Sequence, residues 1–242
     1  MQTSALLKLT AATLAGLAVL IGLGVWQLQR LEWKEGLIAR IEARTERKPV
    51  SLERAIEMSE RQGNLSYLPV RAEGRFHHKR ERYLYAISLD GEPGWHVITP
   101  LETVDGTVVL VDRGIVPDKL RDPKTRPQGQ IQEVVSVTGL IRTPEKPSLF
   151  IPDNDPKANQ WFSRDLGAMA RSMFPGGTVQ VAPFFLEAVA GVVPGGWPKG
   201  GQTRLRLTNN HLQYALTWFG LAACLIAVYG FYVWGAYREK RP

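Results

Sequence analysis

Cysteine is almost absent from this chain of 242 residues: the only one, Cys224, falls inside a long apolar run. A single thiol builds neither a disulfide framework nor a thiolate metal site. Histidine is scarce too, with four copies. None belongs to a His-Glu-x-x-His pair, and no Gly-x-Ser-x-Gly elbow occurs. The glycine-rich stretch from Val193 to Gly201 ends in Lys-Gly-Gly, where a phosphate-cradling loop needs Gly-Lys-Ser or Gly-Lys-Thr. It reads as a turn-rich linker, and an enzyme is not the expected class. The formal charge of +7 is dispersed without a basic block. Nucleic acid is therefore not an expected partner, and anionic lipid headgroups are a simpler one.

Uncharged length at both ends is what the chain has in plenty. Leu9 to Gln29 carries no charge, and neither do the 26 residues between His211 and Arg238. At roughly 1.5 Å per helical residue the second stretch is about 39 Å long, against a hydrocarbon core of about 30 Å. Both read as transmembrane helices, over 9–29 and 212–235, with Trp26, Trp234 and Tyr237 at headgroup depth. The first is long for a signal-peptide core and no small-x-small site follows it, so it reads as an uncleaved anchor. Residues 30–208 make one domain's worth of polar chain, leaving 1–8 and 236–242 as tails. Basic residues stand on both sides of the first span and leave the orientation open, although Arg238, Lys240 and Arg241 favour an inside C-terminus.

Period-two alternation dominates the middle domain, over 70–76, 82–89, 95–103, 107–116, 134–142 and 181–189, and predicts strands. Asp90-Gly91 and Asp105-Gly106 supply turns between them. The expected fold is a mainly antiparallel β domain, a partly closed barrel, with two short helices, one after Ser51 and one from Ser163 to Met173. The stretches 118–130 and 143–159 read as loops. His77, His78 and Glu81 look like an exposed polar edge, and His96 has no acid at a fixed offset along its strand.

His211 is the most informative single residue, because it stands at the mouth of the second span, about one turn outside the hydrocarbon. An imidazole there can anchor a helix end, or it can ligate the metal of a cofactor arriving from the bilayer. Tyr214 and Trp218 follow at i+3 and i+7, so one stripe of the helix offers a nitrogen above two flat rings. On the first helix, Trp26, Arg30 and Trp33 share a face if the helix continues beyond the bilayer. Arg30 then either pairs with a ligand carboxylate or snorkels to a headgroup.

Several ordered blocks carry a family resemblance across nearly the whole chain. They are Leu23-Gly24-Val25-Trp26-Gln27-Leu28-Gln29-Arg30, the run from Gly94 to Leu101, Val111-Asp112-Arg113-Gly114-Ile115-Val116-Pro117, the run from Asn159 to Leu166, and Asn209-Asn210-His211-Leu212-Gln213-Tyr214 continuing to Phe219. Together they resemble the surfeit locus protein 1 family, with Ile115 departing from that family's usual Trp. The resemblance implies an assembly factor for haem-copper cytochrome c oxidase, with two transmembrane helices and a periplasmic or intermembrane-space domain. It further implies haem a as cofactor, His211 as axial iron ligand, and haem a synthase and oxidase subunit I as partners. Tyr214, Trp218, Trp26 and Arg30 are expected around the cofactor, with Arg204 or Arg206 as further carboxylate partners. No Arg- and Ser-rich leader precedes Leu9, so a bacterial inner-membrane member is expected. A haem-free scaffold for subunit I is the alternative.

Overall fold

In the computed structural model, residues 2–145, 148, 150–177, 179–203 and 208–238 are described, without the side chains of 2, 3 and 5. The elements in chain order are α1 (Gln2–Thr45), β1 (Val50–Ser51), α2 (Leu52–Gln62), β2 (Pro69–Phe76), β3 (Arg82–Ile87), β4 (Pro93–Thr103), β5 (Val108–Val116), β6 (Val135–Arg142), β7 (Gln160–Trp161), α3 (Leu166–Met173), β8 (Val181–Ala188) and α4 (His211–Arg238). They form two compact units: Ile41–Leu205, and the terminal segments Met1–Arg40 with Arg206–Pro242.

The first unit is the expected β domain. Strands β2, β6, β8, β5 and β4 pair in that order, and β4 returns to β2 to close a barrel, with β3 and β7 extending the sheet beyond β4. All nine residues of β5 are buried, because its two faces serve two cores. Val109 and Val111 join Val70, Leu101, Ile141 and Leu186 in the cluster shared by the five barrel strands, which Leu52 and Ala55 of α2 cap. Val108 and Leu110 face outward onto Trp161, Met169 and Met173, so α3 and β7 cover the opposite wall.

Local chemistry sets the helix starts. The Ser51 hydroxyl accepts from the Arg54 N–H and opens α2, as expected. The cap of α3 is Asp165, which accepts from the Ala168 N–H at 2.9 Å, and not Ser163. Ser163 is buried and hydrogen-bonded by Asn154, so its hydroxyl is already engaged in the fold. Strand direction also differs in part from the hairpin expectation: β1–β2, β3–β7 and β5–β8 are parallel. Alternation is the same in either direction, and the long stretch between β5 and β8 supplies the crossover that a parallel pair requires.

The glycine-rich stretch does more than link. Ile115 and Lys199 exchange both backbone hydrogen bonds, at 2.9 and 3.0 Å, and the Gly201 N–H donates to the Ala188 carbonyl. Gly114 makes this possible: its φ is +112°, and a β-carbon there would lie 1.9 Å from the Lys199 carbonyl oxygen.

The second unit is a helix pair. Both α1 and α4 contain segments long and apolar enough to cross a membrane. Their outward side chains have no protein cover: Leu14 is 61% exposed and Phe231 70%. Apolar surface on that scale suits lipid and not water. Helix α1 runs on well past Gln29, as the stripe of Trp26, Arg30 and Trp33 requires. Covered positions recur in alternating steps of four and three: Thr13, Leu17, Leu20, Gly24 and Gln27 on α1, and His211, Ala215, Trp218, Ala222, Leu225 and Tyr229 on α4. Small residues bring the backbones together, as in membrane helix pairs generally. The ring of Phe219 closes over Gly24, and Leu225 lies against Gly16. A hydrogen bond stands at each end of this antiparallel seam, Thr10 to Tyr229 at 2.6 Å and Gln27 to His211 at 2.6 Å.

Candidate functional site

Asn209 and Asn210 prepare the start of α4. The Asn209 side-chain carbonyl accepts from the His211 N–H at 3.4 Å, and the Asn210 backbone carbonyl accepts the first helical bond from Tyr214. The Asn209 bond is an Asx turn that leads the chain into the helix. His211 thereby becomes the first residue of the helix and faces the seam, where its Nδ1 lies 2.6 Å from Oε1 of Gln27. An amide oxygen can only accept, so Nδ1 carries the proton and Nε2 keeps its lone pair. Among the described residues, none hydrogen-bonds to that Nε2.

The site residues expected from the sequence fall on two sides of this contact. Trp218 is half-buried on the seam, two turns along α4 from His211. Tyr214 and Trp26 face outward, 54% and 50% exposed. Arg30 lies three residues beyond Gln27, with its guanidinium 4.3 Å over the Trp33 ring, a cation–π stack that leaves the side chain at the surface. Arg204 and Arg206 lie outside the described residues. Gln27 is the residue that sequence reasoning missed. The available signal was an amide on the covered side of an otherwise charge-free helix, where a polar group needs a partner.

The donor set limits what could be held here. Among the described residues no group of three His, Cys, Asp or Glu converges, so a bare zinc ion, which takes four protein ligands in a structural site, has no cage. A single imidazole nitrogen can instead complete the coordination of a metal whose other positions a macrocycle fills.

A second polar constellation lies in the β domain. His96 Nδ1 is 2.8 Å from Oδ1 of Asp112 on the neighbouring strand, a partner that a search along one strand could not reveal. Asp112 also accepts from the Gly114 N–H and from Arg164, both at 3.1 Å. Histidine oriented by aspartate is the base pair of a hydrolytic triad. Here the ring is only 5% exposed, and among the described residues no hydroxyl hydrogen-bonds to it, so the group serves the fold. The expected exposed edge is corrected at His78 and Glu81, while His77 stays partly exposed beside Glu102. His78 and Glu81 are buried, the His78 Nε2–H donates to the Ile131 carbonyl, Nδ1 of His78 lies 3.4 Å from the Glu81 carboxylate, and Glu81 meets Arg126 and Arg113. His78 begins a short 3-10 turn and so leaves the strand register on which the edge reading rested.

These carboxylates make the domain acid-sensitive. Burial raises the pKa of Glu81, but hydrogen bonds from His78 and Arg126 and the charges of Arg126 and Arg113 outweigh it and hold the value at about 2. Burial likewise opposes, and His96, Arg164 and the Gly114 N–H prevail, at Asp112, also at about 2. Both groups are more acidic folded than unfolded, so their stabilisation is complete above roughly pH 4.5 and is lost as the pH falls toward 2. Glu187 is pushed upward by burial and by the charge of Asp112. Its contribution has the opposite sign: it grows as the pH falls through the ordinary carboxylate range and partly offsets the loss from Glu81 and Asp112. For Glu81 the difference is worth about 3 kcal/mol. The melting temperature of the β domain should fall steadily between pH 5 and pH 2.5, and a flat profile there would contradict these ion pairs.

The SURF1 family model matches residues 14–223, which takes in most of the seam, the β domain and His211. Surfeit locus protein 1 of Homo sapiens is 42% identical over 220 residues, covering 84% of this chain and 70% of the human protein. The Mus musculus protein is 40% identical over 223 residues, covering 85% and 69%. A SURF1-like protein of Monosiga brevicollis is 34% identical over 226 residues, covering 88% and 83%.

Proposed function

The chain belongs to the SURF1 family, and on that premise we propose that it is an assembly factor for haem-copper cytochrome c oxidase that binds haem a at the outer membrane interface and aids its insertion into subunit I. The observation that carries the proposal is the imidazole of His211, held at Nδ1 by Gln27 and, among the described residues, without a hydrogen-bond partner at Nε2. Haem a is the oxidase's redox cofactor, and its isoprenoid tail and propionates match a site with lipid on one side and guanidinium on the other. His211 would hold the iron through Nε2. Trp26 and Tyr214 would border the macrocycle with their exposed faces, Trp218 would back the ligand along the seam, and Arg30 would meet a propionate, for which its two-donor fork is suited. A single protein nitrogen gives weaker retention than a paired axial site, which suits a protein that takes haem a from its synthase and passes it on.

In this reading both termini lie in the cytoplasm of a bacterial cell, the spans of 9–29 and 212–235 cross the inner membrane, and 30–208 is periplasmic. The level of His211 with Gln27, one turn before the first charge at Arg30, supports an interfacial site. The alternative is a scaffold that steadies subunit I without haem, and colour separates the two. The full chain purified from cells making haem a should carry a ferric haem spectrum, and pyridine extraction should identify haem a. A colourless protein that still co-purifies with subunit I would favour the scaffold.

A further inference from the structure

We infer that Gln27 is the positioning residue for His211: its side-chain carbonyl fixes the imidazole in the Nδ1–H tautomer and aims Nε2 out of the helix seam toward an incoming haem iron. The inference rests on the reading of His211 as an iron ligand and adds to it a second residue, on the other helix, with a distinct role.

The contact joins residues 184 apart in sequence, at 2.6 Å, between two helices whose packing leaves both side chains half-covered. A neutral imidazole has one N–H and one lone pair, and their places are exchangeable. In water nothing holds either tautomer strongly. With Oε1 of Gln27 facing Nδ1 the choice is biased toward Nδ1–H, because that oxygen has no proton to give. The protonated Nδ1 leaves Nε2 as the only nitrogen able to ligate. Partners of this kind orient metal-binding histidines widely, and their loss typically costs about 10–100-fold in metal affinity.

The choice of an amide also carries chemical meaning. A carboxylate in the same place would draw the Nδ1 proton toward itself, make the imidazole more basic and tighten its hold on ferric iron. A neutral carbonyl orients the ring with less of that push. Gln29, two residues on, is exposed on the outer side of α1 and makes no such contact among the described residues, so the role belongs to the seam position and not to glutamine content in general. The bond also ties the ligand to both helices, so the direction of Nε2 is set by the register of the pair.

The test uses the full chain in lipid nanodiscs, labelled with 15N-histidine and free of haem, at about pH 8, where an ordinary imidazole is neutral. The His211 signals, assigned by their absence in His211→Leu, should show a protonated Nδ1 and an unprotonated Nε2. Gln27→Leu should redistribute the proton between the two nitrogens, and Gln27→Glu, which keeps an acceptor, should restore the wild-type pattern. Unchanged circular dichroism in both variants establishes that the helices persist. Ferric haem a added to the same samples should bind about 10–100-fold more weakly to Gln27→Leu. Gln27→Glu should bind at least as tightly as wild type, with a lower reduction potential. A wild-type Nδ1 without a proton, or a pattern that Gln27→Leu leaves unchanged, overturns the positioning role even if haem binding by His211 is intact. Undiminished haem binding by His211→Leu overturns the ligand reading itself, and this inference with it.

Discussion

A His211→Leu chain is expected to accumulate at the wild-type level and to purify without the ferric haem spectrum. The two halves of that result have different physical sources. Loss of the spectrum follows from the donor set if the proposed function holds: His211 is the only histidine of the two terminal helices, and among the described residues its Nε2 has no hydrogen-bond partner. Persistence of the protein follows from magnitude. The substitution removes one interhelical hydrogen bond, and such bonds average about 0.6 kcal/mol in membrane helices, with a maximum near 1.7. The rest of the seam is untouched, including the packing of Phe219 on Gly24, of Leu225 on Gly16, and the Thr10–Tyr229 bond. His211→Met should behave in the same way, since a thioether is a soft donor and a poor match for ferric iron. Pigment retained in full by either variant would reduce His211 to a helix anchor.

The largest effect on stability is expected in the β domain. Asp112→Ala should destabilise it by about 3–5 kcal/mol, the usual cost of leaving a buried charge without its partner. Asp112 is fully buried and answers three donors at once: His96, the Gly114 N–H and Arg164. Removing the carboxylate strands the Arg164 guanidinium, whose remaining ion pair is with the half-exposed Glu145. It also frees the backbone at Gly114, the residue on which the Lys199 segment closes. For a unit of this size the loss corresponds to a fall of roughly 6–20 °C in melting temperature. Asp112→Asn keeps an acceptor for Gly114 and His96 and should cost less than the alanine change. Thermal melts of the full chain, followed through the β-sheet signal, decide the matter, and a difference below about 1 kcal/mol would mean that the cluster contributes little.

Features governed by neighbours in sequence were the ones readable from it. A charge-free run of helical length, alternation along each of the long strands, Ser51 before α2 and a histidine at the mouth of α4 are all local patterns, and the structure has each of them. The missing pieces are non-local. Gln27 gains its meaning only when α1 and α4 lie antiparallel, and His96 meets Asp112 only across two strands with a bulge between them. The parallel entry of β8 beside β5 is fixed by closure of the barrel, and alternation carries no trace of it. The start of α3 moved from Ser163 to Asp165 for a related reason: tertiary contacts with Asn154 had already claimed the serine.

The stepped packing of α1 on α4 has a mechanical consequence. Because Gln27, Gly24 and Gly16 lie on one rigid rod, spaced over about 16 Å of helix, a bulky side chain at either glycine would wedge the rods apart or slide them, and the imidazole would tilt with them. If the proposed function holds, lesions deep in the bilayer, touching no cargo, would then register as altered colour at the surface.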